Sequence, residues 1–302
     1  MTRFNRGRLT AAIPCYLLIV PTYALLSLFT FLPFLWAFST SLYDYEIGGT
    51  KQFAGLRNYT DFFSDPTFGL SMRNMLVLTL VAVIVNVTVP LAIAKLIFSL
   101  KSEHARYFYR ALFLAPVVVP ATAMQMIWGN LILSDHGLVN QCLQILGLGS
   151  LARGWLADPN TALAAVAFVG FPFASGINIL IFYAGLSAIP ETVHEAARLD
   201  GAWGLRKFLA IDVPLILSQV RLLVILILIA GIQSFEAVLI LSRGGPGFET
   251  MVPGLWMYFN AFSFQKMGYA CAIGVVLFAL IVGLAFLNMR LVKSSEQLQD
   301  GR

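Results

Sequence analysis

The feature that most constrains this chain is the recurrence of long apolar segments, of which Asn74 to Leu100 is the plainest case. That run is long enough to cross the roughly 30 Å hydrocarbon core of a bilayer as a helix, and Lys95 near its end is the only charge in it. Comparable runs lie at about 11–42, 107–133, 161–186, 215–241 and 268–291. In lipid every backbone polar group must be satisfied within the protein, so spans of this kind are helical. Composition agrees: 59% of the 302 residues are hydrophobic and 12% are charged, against about 25% charged in a soluble domain. The expected fold class is an all-α polytopic membrane protein with six transmembrane helices in a single domain, 1–302.

Arg3, Arg6 and Arg8 precede the first run. That run is about three times longer than a typical signal-peptide core, so it reads as a span. Pro14, Pro21 and Pro33 are expected to mark its start and one or two kinks. With the N-terminus inside, the inner segments hold 14 of the 20 Lys and Arg residues and the outer ones 6. The positive-inside bias therefore predicts that both termini, and the segment 187–214, are cytoplasmic.

The net charge of +5 is spread over membrane-edge loops and does not indicate nucleic-acid binding. Cys15, Cys142 and Cys271 are far apart, and no metal-ligand spacing is present. No GxxxxGK[ST] stretch exists, so the chain carries no P-loop of its own. Paired carboxylates, HExxH and Gly-x-Ser-x-Gly are also missing, which speaks against an intramembrane enzyme. A secondary transporter usually needs ionisable groups inside the membrane, and Glu236 is the one carboxylate expected deep in a span. A membrane scaffold is a third alternative, against which the prolines within spans weigh mildly.

The segment between the fourth and fifth runs is mixed and charged, reading EAARLDGAWGLRKFLAIDVP from Glu195 to Pro214. Ser187 can cap a short helix with Pro190 and Glu191 in its first turn, ending at Asp200-Gly201. Glu195 and Arg198 share a face, and Ala196 and Ala197 would leave a flat surface. Gly201 is expected to need a positive φ. Leu205, Phe208 and Leu209 fall on one side, with Arg206 and Lys207 opposite, as in a helix lying at a membrane surface.

Glu195, Ala196, Ala197, Gly201, Ile211 and Pro214 together resemble the EAA loop of permease subunits of binding-protein-dependent ABC importers. YLLIVP at Tyr16 to Pro21, FAGLRNY at Phe53 to Tyr59, and GGP at Gly244 to Pro246 resemble the sugar-uptake branch, nearest its maltose or glycerol-phosphate type of first permease. Asp212 stands where that pattern usually has an apolar or small polar residue, a minor departure. The resemblance implies that Glu195, Ala196, Ala197, Arg198, Asp200 and Gly201 dock on an ATPase. It further implies a second permease subunit, an ATPase dimer that binds ATP and Mg so that this chain needs no cofactor, and an extracytoplasmic solute-binding protein. The setting would be a bacterial or archaeal cell membrane, the inner one in a Gram-negative cell. Asn86, Gln125, Asn178, Gln233, Phe235 and Glu236 are the candidates for the solute pathway, since sugars are held by amides, carboxylates and aromatic faces between helices. For each polar one the bland alternative is an interhelical hydrogen bond, and for Phe235 it is packing.

Overall fold

The computed structural model describes residues 6–171 and 176–291. In chain order they form α1 (Arg6–Leu26), a π-helical turn (Ser27–Phe31), α2 (Leu32–Thr40), β1 (Tyr43–Asp44), β2 (Gln52–Phe53), α3 (Arg57–Ser64), α4 (Pro66–Phe98) and α5 (Glu103–Leu114). Next come α6 (Ala121–Ile127), α7 (Leu138–Ile145), α8 (Ala162–Ala167), α9 (Gly176–Ser187), α10 (Glu191–Leu199) and α11 (Gly204–Lys207). The chain continues through α12 (Val213–Leu215), α13 (Leu217–Gln233), α14 (Glu236–Leu241), α15 (Pro253–Tyr258) and α16 (Met267–Leu291). Three stretches are single helices long and apolar enough to cross a bilayer: Tyr16–Thr40, Pro66–Phe98 and Met267–Asn288. Three more qualify only as bent pairs, giving six spans if each pair counts as one.

Several expected spans differ from straight helices, for identifiable reasons. The segment 107–133 breaks after a short 3₁₀ turn (Ala115–Val118), and its two halves meet at 89°. Pro120 disfavours helical geometry in the residue before it, and Val119 accordingly takes φ −74°, ψ 126°. The segment 215–241 stops at Gln233, because Ser234 turns extended at ψ 118°, and resumes as α14. A Cβ on Gly254 would lie 3.3 Å from Cβ of Phe235, so α15 meets the chain at this break. The segment 161–186 consists of α8 and α9, with residues 172–175 outside the described residues. The expected loop between Ser242 and Met267 contains α15 and a further π turn, Phe259–Ser263.

Two π turns share one cause. Leu32 N–H bonds to Ser27 O just before Pro33, and Val213 N–H bonds to Phe208 O just before Pro214. A proline cannot donate and crowds the preceding turn, so the ladder widens by one residue ahead of it. In the first span, where kinks were expected, this widening stands before Pro33.

The described residues fall into two compact units. One comprises the residues through Ser64 together with Met257–Val276. Here Asn58 Nδ2 donates to Ser41 O at 2.8 Å and Tyr43 O at 2.9 Å, pinning α3 under the β1–β2 hairpin. Phe62, fully buried, meets the Tyr269 ring edge-on. Gly268 approaches the Tyr43 carbonyl so closely that no side chain fits.

The other unit comprises Asp65–Trp256 with the residues from Leu277 onward. Its core joins α4, α9 and α13 through Ala94, Ile97, Ile179, Phe182, Leu186, Ile216 and Leu223. In lipid, helices associate by close packing and interhelical hydrogen bonds rather than by a hydrophobic drive, so small residues mark the contacts. Gly185 of α9 faces Gln219 of α13, and a Cβ on Gly231 of α13 would lie 2.8 Å from Thr79 of α4. At the other end of α4, buried Asn74 donates to Glu249 O at 2.9 Å and Met251 O at 3.0 Å, holding the 248–251 loop.

Candidate functional site

The cavity between these helices is about 640 Å³ and is lined from α4, the Pro116–Val119 turn, α6, α8, α9, α13 and α14. It gathers Asn86, Gln125 and Asn178. Gln233, Phe235 and Glu236 do not line it, although Ser234 and Ala237 beside them do. Glu236 is exposed at the first turn of α14, after the break, rather than deep in a continuous span. Ser234 and Met124 are lining residues the sequence did not single out.

The amides play different parts. Pro90 lies inside α4 and has no N–H, so it cannot bond to the carbonyl four residues back, which belongs to Asn86. A carbonyl orphaned at membrane depth must find a donor elsewhere. Asn178 Nδ2 on α9 supplies it, 3.1 Å from Asn86 O. Asn86 Nδ2 turns back to Ala82 O at 2.9 Å. The Asn178 amide thus makes the interhelical bond that was the bland alternative for it, whereas the Asn86 amide bonds within α4. Gln125 differs: its Oε1 is buried and has no hydrogen-bond partner among the described residues. Gln125 lines the cavity, but this oxygen is enclosed within the packing around it.

The second site is the α10 turn. The chain turns 71° between α9 and α10. Ser187 ends α9 instead of capping α10, whose N-cap is Pro190. Proline at that position fixes φ at −59° for entry into the new helix. The helix buries only His194 and Ala197, which are three apart and share a face. Glu191, Glu195, Ala196, Arg198 and Asp200 are exposed, so the flat surface is Ala196 without Ala197. Arg198 Nη2 lies 3.7 Å from Glu191 Oε1, one turn further back than Glu195.

The end of α10 is a Schellman motif. Ala202 N–H bonds to Ala197 O at 2.9 Å and Gly201 N–H to Arg198 O at 3.2 Å. The motif needs a left-handed residue, and Gly201 has φ +71°. Beyond it, Leu199, Trp203 and Leu205 are exposed apolar side chains around the acidic and basic ones.

Beneath α10 lies a cluster that the sequence did not reveal as such. Lys95 Nζ, in the last turn of α4, is 2.6 Å from Asp212 Oδ2. Asp212 is fully buried, and His194 Nδ1 stands 3.9 Å from its other oxygen. The Lys95 ammonium also sits over the Phe98 and Phe208 rings, at 5.6 and 5.5 Å. Burial pushes the His194 pKa below its ordinary value, reinforced by Lys207 and opposed by Asp212 and Glu191. The sequence signals were a lysine inside an apolar run and an aspartate at position 212 where the family pattern usually has an apolar or small polar residue.

Comparison with known proteins bears on the family and the fold. No protein-family model matches the chain. It is 31% identical over 283 residues to a probable ABC transporter permease protein, YurN, of Bacillus subtilis, covering 93% of this chain and 97% of that one. It is 30% identical over 285 residues to the sulfoquinovosyl glycerol transport system permease protein SmoG of Agrobacterium fabrum, covering 93% and 90%. The trehalose/maltose transport system permease protein MalF of Thermococcus litoralis is 30% identical over 276 residues, covering 91% and 92%. Among solved structures, a chain of a bacterial ABC transporter that imports the acidic polysaccharide alginate superposes with a TM-score of 0.80 at 18% identity, covering 95% of this chain and 99% of that one. That likeness is one of fold.

Proposed function

The chain belongs to the permease proteins of ABC sugar importers, and on that premise we propose that it forms half of an ATP-driven pathway for a carbohydrate. A second permease subunit supplies the other half. A solute-binding protein delivers the sugar from outside, and both termini lie in the cytoplasm of a bacterial or archaeal cell. The observation that carries the reading is α10: a short helix held by one buried face, with Glu195, Ala196, Arg198 and Asp200 turned outward and Gly201 closing it. That is a docking element for a cytoplasmic protein, and its chemistry suits a basic and apolar groove on an ATPase dimer. ATP and Mg bind that partner, and this chain supplies no catalytic group or cofactor site.

On the solute side, Gln125 lines the cavity with an amide whose oxygen is unpaired and would become available to a sugar as the helices move, and the Asn178–Asn86 bond joins α9 to α4 at the wall. Gln233, Phe235 and Glu236 flank the break at Ser234, where they would face the partner permease or the solute as the pathway opens. Alternating access follows from geometry: a displacement of α10 moves helices that line the cavity.

The test is reconstitution with the companion permease, ATPase and binding protein in vesicles. Uptake of the sugar that the binding protein retains should require ATP and be unaffected by dissipating ion gradients. Uptake that runs on a proton or sodium gradient without ATP would instead assign the chain to a secondary transporter.

A further inference from the structure

Lys95, Asp212 and His194 are the strongest unexplained feature of the molecule. Removing two opposite charges from water costs several kcal/mol per ion and is repaid only by close geometry, and such a pair contributes little to stability compared with apolar residues of similar volume. Its position suggests another use. His194 is one of two buried residues by which α10 rests on the bundle. It abuts Asp212, on the segment returning from the docking turn, and lies 6.0 Å from the Phe98 ring of α4. Asp212 in turn holds Lys95 on α4 at 2.6 Å.

Further back along α4, Pro90 has no N–H to offer the Asn86 carbonyl, which accepts instead from Asn178 at the cavity wall. The α4 segment after Pro90 is therefore a short lever. One end is gripped by Asp212, and the other lacks a ladder bond where it borders the cavity.

We propose that the Lys95–Asp212 pair, seated on His194, is the strut that carries displacement of α10 into α4 and so ties ATP turnover to opening of the cavity. The proposal rests on the docking role assigned to α10. Asp212 is fully buried and neither it nor Lys95 lines the cavity, so their role is that of positioning residues. An ion pair suits this task because it resists both separation and sliding, whereas apolar packing at the same place allows slip.

The experiment measures three quantities on the reconstituted importer: ATPase recovered with the permease, ATP hydrolysed, and sugar imported per ATP. Asp212→Asn and Lys95→Met should retain the ATPase and hydrolyse ATP, while sugar imported per ATP falls about tenfold or more. Lys95→Arg, which keeps the charge, should preserve most of the ratio. The exchange Lys95→Asp with Asp212→Lys should recover part of it.

Should a single variant fail to assemble because a lone charge is left buried, the double variant Lys95→Met, Asp212→Leu removes both charges and decides the matter. It should assemble and hydrolyse ATP but import poorly per ATP. An unchanged ratio in the assembled double variant, or no difference between Lys95→Arg and Lys95→Met, overturns the strut. Failure of the unmutated permease to retain the ATPase at all would instead overturn the docking role of α10.

Discussion

Gly201 offers the sharpest perturbation of the docking turn. Its φ of +71° closes the Schellman motif, and a Cβ built there meets nothing within 4 Å. Substitution therefore costs backbone energy alone, with no steric clash to confuse the reading. A left-handed conformation costs an ordinary L-residue about 1–2 kcal/mol, and asparagine tolerates it best among residues with side chains. One or two kcal/mol is a factor of about 5–30 in the ratio of native to opened turn. The expected order is Gly201→Asn close to unmutated, Gly201→Ala reduced by at most that factor, and Gly201→Val worst, because a β-branched residue at positive φ is an outlier. Membrane insertion should be equal in all of them, since no span is touched. The assay is co-purification of the ATPase with each permease variant, with ATP-dependent uptake measured on the same preparations. Asn and Val variants that are equally impaired would refute the conformational reasoning. Ala and Val variants with full ATPase recovery and full uptake would remove this turn from the docking surface.

Two further outcomes follow from buried polar groups. The His194 pKa is depressed in the fold chiefly by burial, so the folded state binds fewer protons than the unfolded one. Its stabilising contribution is complete above the unfolded value near 6.5 and declines as pH falls from there through the folded value. Thermal unfolding of the purified complex should show a loss of stability between pH 7.5 and 5.5 that is smaller in His194→Gln; equal losses in both proteins would show that another group titrates. Asn74→Ala should leave the Glu249 and Met251 carbonyls without their donor, costing about 1–3 kcal/mol. Limited proteolysis should then cut the 248–251 loop faster than in the unmutated protein, and unchanged cutting would mean that water replaces the amide.

The sequence made local features visible and hid those that depend on distant partners. Apolar run length marked where the long helices lie, because a bilayer imposes that length directly. Gly201 was legible because Asp-Gly after an alanine-rich helix has a local conformational meaning. Pro120 was legible as a proline inside a run but not as a right-angled break, which depends on what the 3₁₀ turn can pack against. The break at Ser234 has no proline to announce it and is explained only by the approach of Gly254. Asn178 and Asn86 are 92 positions apart, and Lys95 and Asp212 are 117 apart. Neither periodicity nor spacing pairs such residues. For the same reason Glu236, conspicuous as a carboxylate in an apolar run, proved to lie exposed at a helix start, while Asp212, which had seemed a minor departure, is fully buried and ion-paired.

The polar groups of the larger unit also explain why a costly residue sits inside α4. A proline in a helix interior destabilises by about 3 kcal/mol when its freed carbonyl goes unanswered. Here the carbonyl is answered by Asn178, so much of that cost is offset and the position of Pro90 becomes a point where two helices are joined. An unbroken ladder would spread any push at Lys95 along the whole of α4. The missing bond at Pro90 makes the helix softest there, close to Asn86 and the cavity wall. The ion pair on buried Asp212 at one end and the amide-stitched proline at the other each have a bland structural explanation alone. Placed about a turn and a half apart on one helix, between an exposed docking element and the cavity, they have a common one.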